Sequence, residues 1–363
     1  MAVCGRYRKT VKGCERTLKP LISVIICCHN VAELLPDCMR TLVWQTIGMD
    51  QLQLIFVDDA SDDDGATWNC ILTFEKQYPQ SVTAVHLDEN LRQGGARNVG
   101  LEYAKADYIG YVDGDDWLES TMYERLYECI RKYDCDIADC RLMMDYPDGR
   151  TYVYQHMENR LDAEEKSILD GGTHWTDRFR GEGYGGGIVT GLYRRALLEE
   201  SGVRFPEKIL YEDNYWEAIL LLSVKRYFHL AEDLYHYRQR ADSTVHKRNA
   251  WHHLDRLAIE EMKLEAYHTL GVYDRYQKIV EQEFLKEYYC QTLLTMFTKY
   301  DNPPYEIFCH MNRRVKELFP DYKKSALAQT NGMDAVLLGL IDRDLDEAQF
   351  MEIRKIILSY YGK

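Results

Sequence analysis

The sequence predicts an α/β fold: a mainly parallel sheet with helices on both faces, followed by an all-helical region. Three observations lead there. Between Leu21 and about Leu118, short apolar runs alternate with stretches of helical periodicity. Two of those runs, LISVIICC (21–28) and LQLIFV (52–57), are apolar almost throughout rather than alternating, as strands covered on both faces are. Beyond about residue 250 only helical periodicity is found, broken at Asp301-Asn302-Pro303-Pro304 and near Asn331-Gly332.

The elements follow in order. After the first strand, Leu34, Leu35, Cys38, Leu42 and Trp44 recur at helical spacing and predict a helix over about 32–45. The second strand is followed by Ser61 and Asp62, either of which can cap a helix running to about Tyr78. VTAVHL (82–87) predicts a third strand, a helix fits about 94–105, and YIGYV (108–112) predicts a fourth. Such a βαβ series builds parallel pairs through right-handed crossovers. Ser120 then caps a helix to about Tyr133, and residues 135–154 read as a hairpin around Pro147-Asp148-Gly149. Residues 171–191 are Gly-rich and read as loop. A strand near Val189–Tyr193 and a helix over about 213–223 complete the first unit. The organisation expected is a basic arm (1–20), a catalytic-type domain (21–248, with halves at about 21–118 and 119–248) and a helical region (249–363).

Composition excludes several classes. With 363 residues and a formal net charge of -14, the chain is a poor partner for nucleic acid, whose phosphates favour Lys and Arg. The arm runs the other way: Arg6, Arg8, Lys9, Lys12, Arg16 and Lys19 stand against Glu15 alone. It suits either a solvated terminus or peripheral contact with an anionic membrane surface. No apolar run approaches the roughly 20 residues that span a bilayer. The 11 cysteines are scattered, with no C-x-x-C pair, and suit a reducing cytoplasm better than a disulfide framework.

In an open α/β sheet, ligands bind beyond the carboxyl ends of the strands. There the sequence places His29 and Asn30; Asp58, Asp59 and Ser61 in VDDASDD; Asp88 to Asn90 before LRQGGARNVG; and Asp113, Gly114, Asp115 and Asp116 in YVDGDDW. Singly these fit turns and helix caps. Together they crowd acids on one edge, where something positive must sit among them. A divalent cation with hard oxygen ligands, Mn2+ or Mg2+, meets that need. The segment FPEKILYEDNYW (205–216) adds Glu212 and Asp213 at a helix start, either as dipole-stabilised acids or with one of them a base. Arg238 and Arg240 offer planar forks for phosphate oxygens, and His246 is either a metal ligand or a surface residue.

The ordered blocks SVIICCHN, VDDASDD with GGARN, YVDGDDW, and FPEKILYED followed by YRQRADST resemble the family 2 glycosyltransferases, inverting enzymes of the GT-A fold, over about residues 21–246. The resemblance implies a nucleotide-sugar donor, with UDP the default nucleotide, and a glycan, lipid-linked or protein acceptor, as in polysaccharide biosynthesis. By the same resemblance Asp58 or Asp59 contacts the base with Arg97 nearby, and Asp113 contacts ribose or metal. Asp115, in the D-x-D motif, is the principal metal ligand. Asp213 deprotonates the acceptor, Glu212 supports the site, and the stretch from Arg238 covers the diphosphate. A sugar nucleotidyltransferase shares this sheet plan but should carry a Gly-rich, Lys- or Arg-bearing loop after its first strand. Here CCHNVAELL has neither Gly nor Lys. A non-catalytic nucleotide-sugar-binding module is the other alternative, and the presence of both Asp115 and Asp213 speaks against it.

Overall fold

The computed structural model describes residues 7–9, 19–154, 158–163, 187–240 and 247–360. Most of the basic arm, the Gly-rich stretch up to residue 186, and His246 lie outside the described residues. The chain divides into two compact units, Met1–Arg240 and Ala241–Lys363. The sequence reading placed that boundary at 248.

The first unit is built on one sheet. Its strands among the described residues are β1 (Tyr7–Lys9), β2 (Ile22–Cys28), β3 (Leu52–Asp58), β4 (Val82–Leu87), β5 (Tyr108–Asp113), β6 (Trp117–Leu118), β7 (Ile137–Asp145), β8 (Thr151–Val153), β9 (Arg160–Ala163), β10 (Gly191–Arg194) and β11 (Arg226–Arg238). They lie in the order β1-β4-β3-β2-β5-β10-β7-β11-β6, with β8 beside β7 and β9 beside β11. The β4-β3-β2-β5 half is parallel, as the alternation of strands and helices requires. The other half is mixed rather than parallel: β10 runs antiparallel to both β5 and β7, and β11 is parallel to β7. The sheet is therefore mixed overall, flanked by helices.

Every residue of β2 and β3 is buried, which is why their sequences do not alternate. On one face, helices Leu35–Val43 and Met122–Lys132 bury Leu35, Cys38, Leu42, Tyr123, Leu126 and Ile130. On the other lies helix Arg92–Tyr103, whose buried residues are Gly94, Gly95, Ala96, Val99 and Gly100 together with Arg97. A Cβ on Gly100 would stand 2.3 Å from Ile25, so glycine is what lets this helix approach β2. An aromatic cluster of Tyr111, Tyr193, Phe205 and Trp216 seats helix Glu212–Leu220, with Phe205 and Trp216 stacked at 4.6 Å.

The expected caps do not form. Helix Ala66–Gln77 starts after Gly65, and it is Asp63 that accepts the Thr67 amide at 3.0 Å. Ser61 instead hydrogen-bonds Asp58. Helix Met122–Lys132 has Thr121, not Ser120, at its N-cap. The hairpin around Pro147-Asp148-Gly149 is present as β7 and β8.

The second unit is helical: Asp255–Thr269, Val272–Phe284, a π-helical segment Leu285–Gln291, Thr292–Lys299, Tyr305–Leu318, Met333–Leu338 and Glu347–Tyr360. Breaks fall at the expected 301–304 and Asn331-Gly332 signals, and two more, at Leu270-Gly271 and over 339–346, fall outside that expectation. Its core is aromatic, with Phe284 stacked on Tyr288 and Phe308 on Phe350. Lys263 is buried there between Glu260 at 3.0 Å and Glu283 at 2.5 Å. A buried ammonium needs such counter-charges to stay ionised.

Candidate active site

The parallel register aligns Cys28 with Asp58 and Cys27 with Asp113, so the carboxyl ends of β2, β3 and β5 form one edge. The predicted site residues fall into three groups along it.

The first group shapes loops. Asp58 is wholly buried, with Oδ2 2.7 Å from His86 Nδ1 and Oδ1 accepting the Ser61 hydroxyl at 2.5 Å. Both oxygens are thus spent within the protein. Asp59 accepts the Leu91 amide at 2.7 Å, and burial pushes its pKa up to about 6. Asn30, at φ 54°, exchanges two hydrogen bonds with Asp62 and donates its amide to Ser61, zipping the loops after β2 and β3 together.

The second group joins distant segments. Arg97, buried on helix Arg92–Tyr103, donates from Nη1 to Glu212 at 2.8 Å and from Nη2 to Asp113 at 3.1 Å. Gly94 makes this possible: a Cβ there would meet the Pro206 carbonyl at 2.3 Å and Glu212 at 2.9 Å. Burial works against the Arg97 charge, but Asp113 and Glu212 outweigh it and raise its pKa. Glu212 is buried, and that burial pushes its pKa up to about 7 against the opposing field of Arg97. Tyr211, at φ 64°, turns the chain into helix Glu212–Leu220, leaving Glu212 inward and its neighbour Asp213 exposed. Asp213 accepts the Asn214 amide at 2.9 Å. The structure therefore brings Asp113, Arg97 and Glu212 together and holds an open carboxylate beside them.

The third group lies past β5. Asp115 is paired with Arg240 at 3.0 Å. Burial and then Asp113 raise its pKa, while Arg240 opposes them. The Arg238 guanidinium reaches Asp37 at 3.3 Å, and only its backbone amide meets the acidic turn. The edge that the sequence reads as calling for a cation already holds the guanidiniums of Arg97 and Arg240. Among the described residues no group of three or more His, Cys, Asp or Glu side chains is assembled for a metal.

Sequence reasoning assigned no role to Asp116, which is wholly buried and accepts the Tyr235 hydroxyl at 2.7 Å and the Arg238 amide at 2.9 Å. The available signal was a third acid in YVDGDDW with no capping helix behind it.

Comparison with known proteins gives consistent matches. Residues 23–199 match the family model described as Glycosyl transferase family 2. The "Uncharacterized glycosyltransferase EpsJ" of Bacillus subtilis (strain 168) is 29% identical over 227 residues, covering 62% of each chain. The chain thus spans less than two thirds of that relative's length. The "Uncharacterized glycosyltransferase YibD" of Escherichia coli (strain K12) is 23% identical over 317 residues, 86% of this chain and 85% of that one. The crystal structure of S. aureus TarS 1–349 in complex with UDP-GlcNAc superposes with a TM-score of 0.68 at 17% identity, covering 94% of this chain and 92% of that one. The GT-A fold expected from the sequence is the fold found.

Proposed function

The N-terminal unit carries a family 2 glycosyltransferase domain over residues 23–199, and from that premise we propose that the chain transfers a sugar from a nucleotide-diphosphate donor, a UDP-sugar, to a hydroxyl of a glycan acceptor, with inversion at the anomeric carbon. The observation that carries this reading is the exposed Asp213 carboxylate, held beside the donor edge by the Glu212–Arg97–Asp113 bridge.

The chemistry follows from that placement. An acceptor hydroxyl is a poor nucleophile at neutral pH, and a carboxylate within reach takes its proton as attack proceeds. Asp213 is open to solvent, so it can meet an acceptor. Glu212 is less suited to be the base, since it is buried and paired with Arg97. Glu212 instead fixes the first turn of the helix that presents Asp213. Attack from the face opposite the leaving diphosphate inverts the centre.

Asp115, with Asp113, would hold Mn2+ or Mg2+. The residues fit: these cations take one or two carboxylates plus substrate phosphate oxygens rather than a protein cage. When bound, the cation stabilises negative charge on the leaving nucleoside diphosphate. Arg240 then exchanges its carboxylate partner for a phosphate oxygen. The basic residues before Ile22 give the protein a peripheral hold on anionic surfaces.

Thermal shift with a panel of nucleotide-sugars and Mn2+, followed by transfer assays with the best donor, tests the reading. Stabilisation by UDP-sugars supports it. No stabilisation by any nucleotide-sugar would remove it.

A further inference from the structure

Asp116 is an acid that no step above uses, yet it occupies a demanding position. Its residue is 0% exposed, and so is that of Tyr235. A carboxylate withdrawn from water is costly unless its oxygens are hydrogen-bonded. Here both are: Oδ2 accepts the Tyr235 hydroxyl at 2.7 Å, and Oδ1 accepts the Arg238 amide at 2.9 Å. The same Tyr235 hydroxyl accepts the Asp113 amide at 3.3 Å, and the Asp116 amide donates to the Asp113 carbonyl at 3.0 Å. One buried group thereby ties the turn bearing Asp113 and Asp115 to the end of β11, where Arg238 and Arg240 begin.

We propose that Asp116 is a positioning residue of the donor site. It fastens the first amide of the arginine segment to the acidic turn, and so sets where the Arg240 guanidinium stands relative to the donor diphosphate. A carboxyl group suits the task because its two oxygens accept from two donors at once, one from a side chain and one from the backbone. Leucine would fill the space without gripping either. The inference rests on reading this edge as a nucleotide-sugar donor site.

The test is a double-mutant cycle on the full chain, with UDP affinity in Mn2+ read by calorimetry and melting temperature read alongside. Asp116→Asn loses one of its two acceptor atoms, and Tyr235→Phe removes the hydroxyl that joins Asp116 and the Asp113 amide to β11 while leaving the Asp116 side chain itself unchanged. Each should weaken UDP binding by about tenfold, the size of a coupled contact. In an Arg240→Gln background either substitution should weaken it by less than about twofold, because the group being positioned is gone. A purely structural role predicts the same loss in both backgrounds, and that result, or no loss in either, would overturn the proposal. If Asp116→Asn does not fold, the Tyr235→Phe cycle decides. A parent protein that binds no UDP would overturn the donor reading and this inference with it. A parent that binds UDP and gives an additive cycle removes this inference alone.

Discussion

Replacing Arg97 by methionine tests the bridge that holds the two halves of the site together. The side chains of Arg97 and Glu212 are 5% and 4% exposed, so their 2.8 Å pair is not discounted by solvent. Asp113 is 20% exposed and keeps some water, so its loss adds little. Methionine keeps an aliphatic stem but removes the guanidinium, which lies 5.5 Å from the Phe205 ring centre, and leaves Glu212 buried without its counter-charge. Removing one partner of a buried pair costs about 3–5 kcal/mol. For a unit of this size that lowers the melting temperature by about 6–20 °C. The sign of the pH dependence is fixed too. Glu212 titrates near 7 even with Arg97 present. Without it the folded pKa rises further, so Glu212 takes a proton more readily than it does unfolded, and stability falls as pH climbs toward that value. The loss is therefore smaller at pH 6 than at pH 8. Calorimetry at both pH values measures it. Adding Glu212→Leu should restore most of the stability, because an apolar pair replaces a broken ionic one. A melting temperature within about 2 °C of the parent at pH 8, or a double variant no more stable than Arg97→Met, would refute the bridge.

Asp115→Ala should abolish Mn2+-dependent UDP binding while costing about 1 kcal/mol of stability or less, since its pair with Arg240 is partly exposed; calorimetry showing unchanged affinity would contradict the metal assignment. Glu212→Gln should become more stable relative to the parent as pH rises from about 4.5 to about 7, because the raised carboxyl pKa destabilises the ionised form over that window. Urea unfolding at pH 5 and pH 8 checks this, and a difference independent of pH would count against it. Replacing Arg6, Lys12 and Arg16 by glutamine, which keeps edge strand β1 beside β4, should leave transfer to a soluble acceptor near the parent rate and weaken co-sedimentation with anionic vesicles, whereas equal vesicle binding by both forms would remove the membrane contact.

The parallel half of the sheet was legible because β2 and β3 are covered on both faces, so their sequences are runs of Ile, Val, Leu and Phe. β11 was not recognised, and only its tail, from Tyr237, drew notice as a basic stretch. Its register against β7 shifts between Leu230 and Asp233 and again before Tyr235, so Ala231-Glu232-Asp233 interrupts the alternation that marks a strand. The acidic edge was legible residue by residue, but its counter-charges were not. Arg97 lies 115 positions from Glu212, and no local pattern announces so distant a pair. The same holds for Asp116 and Tyr235, whose contact exists only once β6 lies against β11. Asp58 and Asp59 looked alike in VDDASDD, yet burial commits Asp58 to His86 and Ser61 while Asp59 meets Leu91.

The measurement that tests the central claim most directly is the transfer rate of Asp213→Asn, taken with its UDP affinity and melting temperature. Asparagine keeps the size and polarity of a side chain that is exposed at the start of helix Glu212–Leu220, but cannot accept the acceptor's proton. Donor affinity should stay near that of the parent, because the diphosphate is held by other residues. Transfer should fall by about 100-fold or more. Were Asp213 only a helix-terminal acid, the variant would lose about 0.3–1 kcal/mol of stability and keep its turnover. A stable, UDP-binding Asp213→Asn protein that transfers sugar at the parent rate would contradict the account.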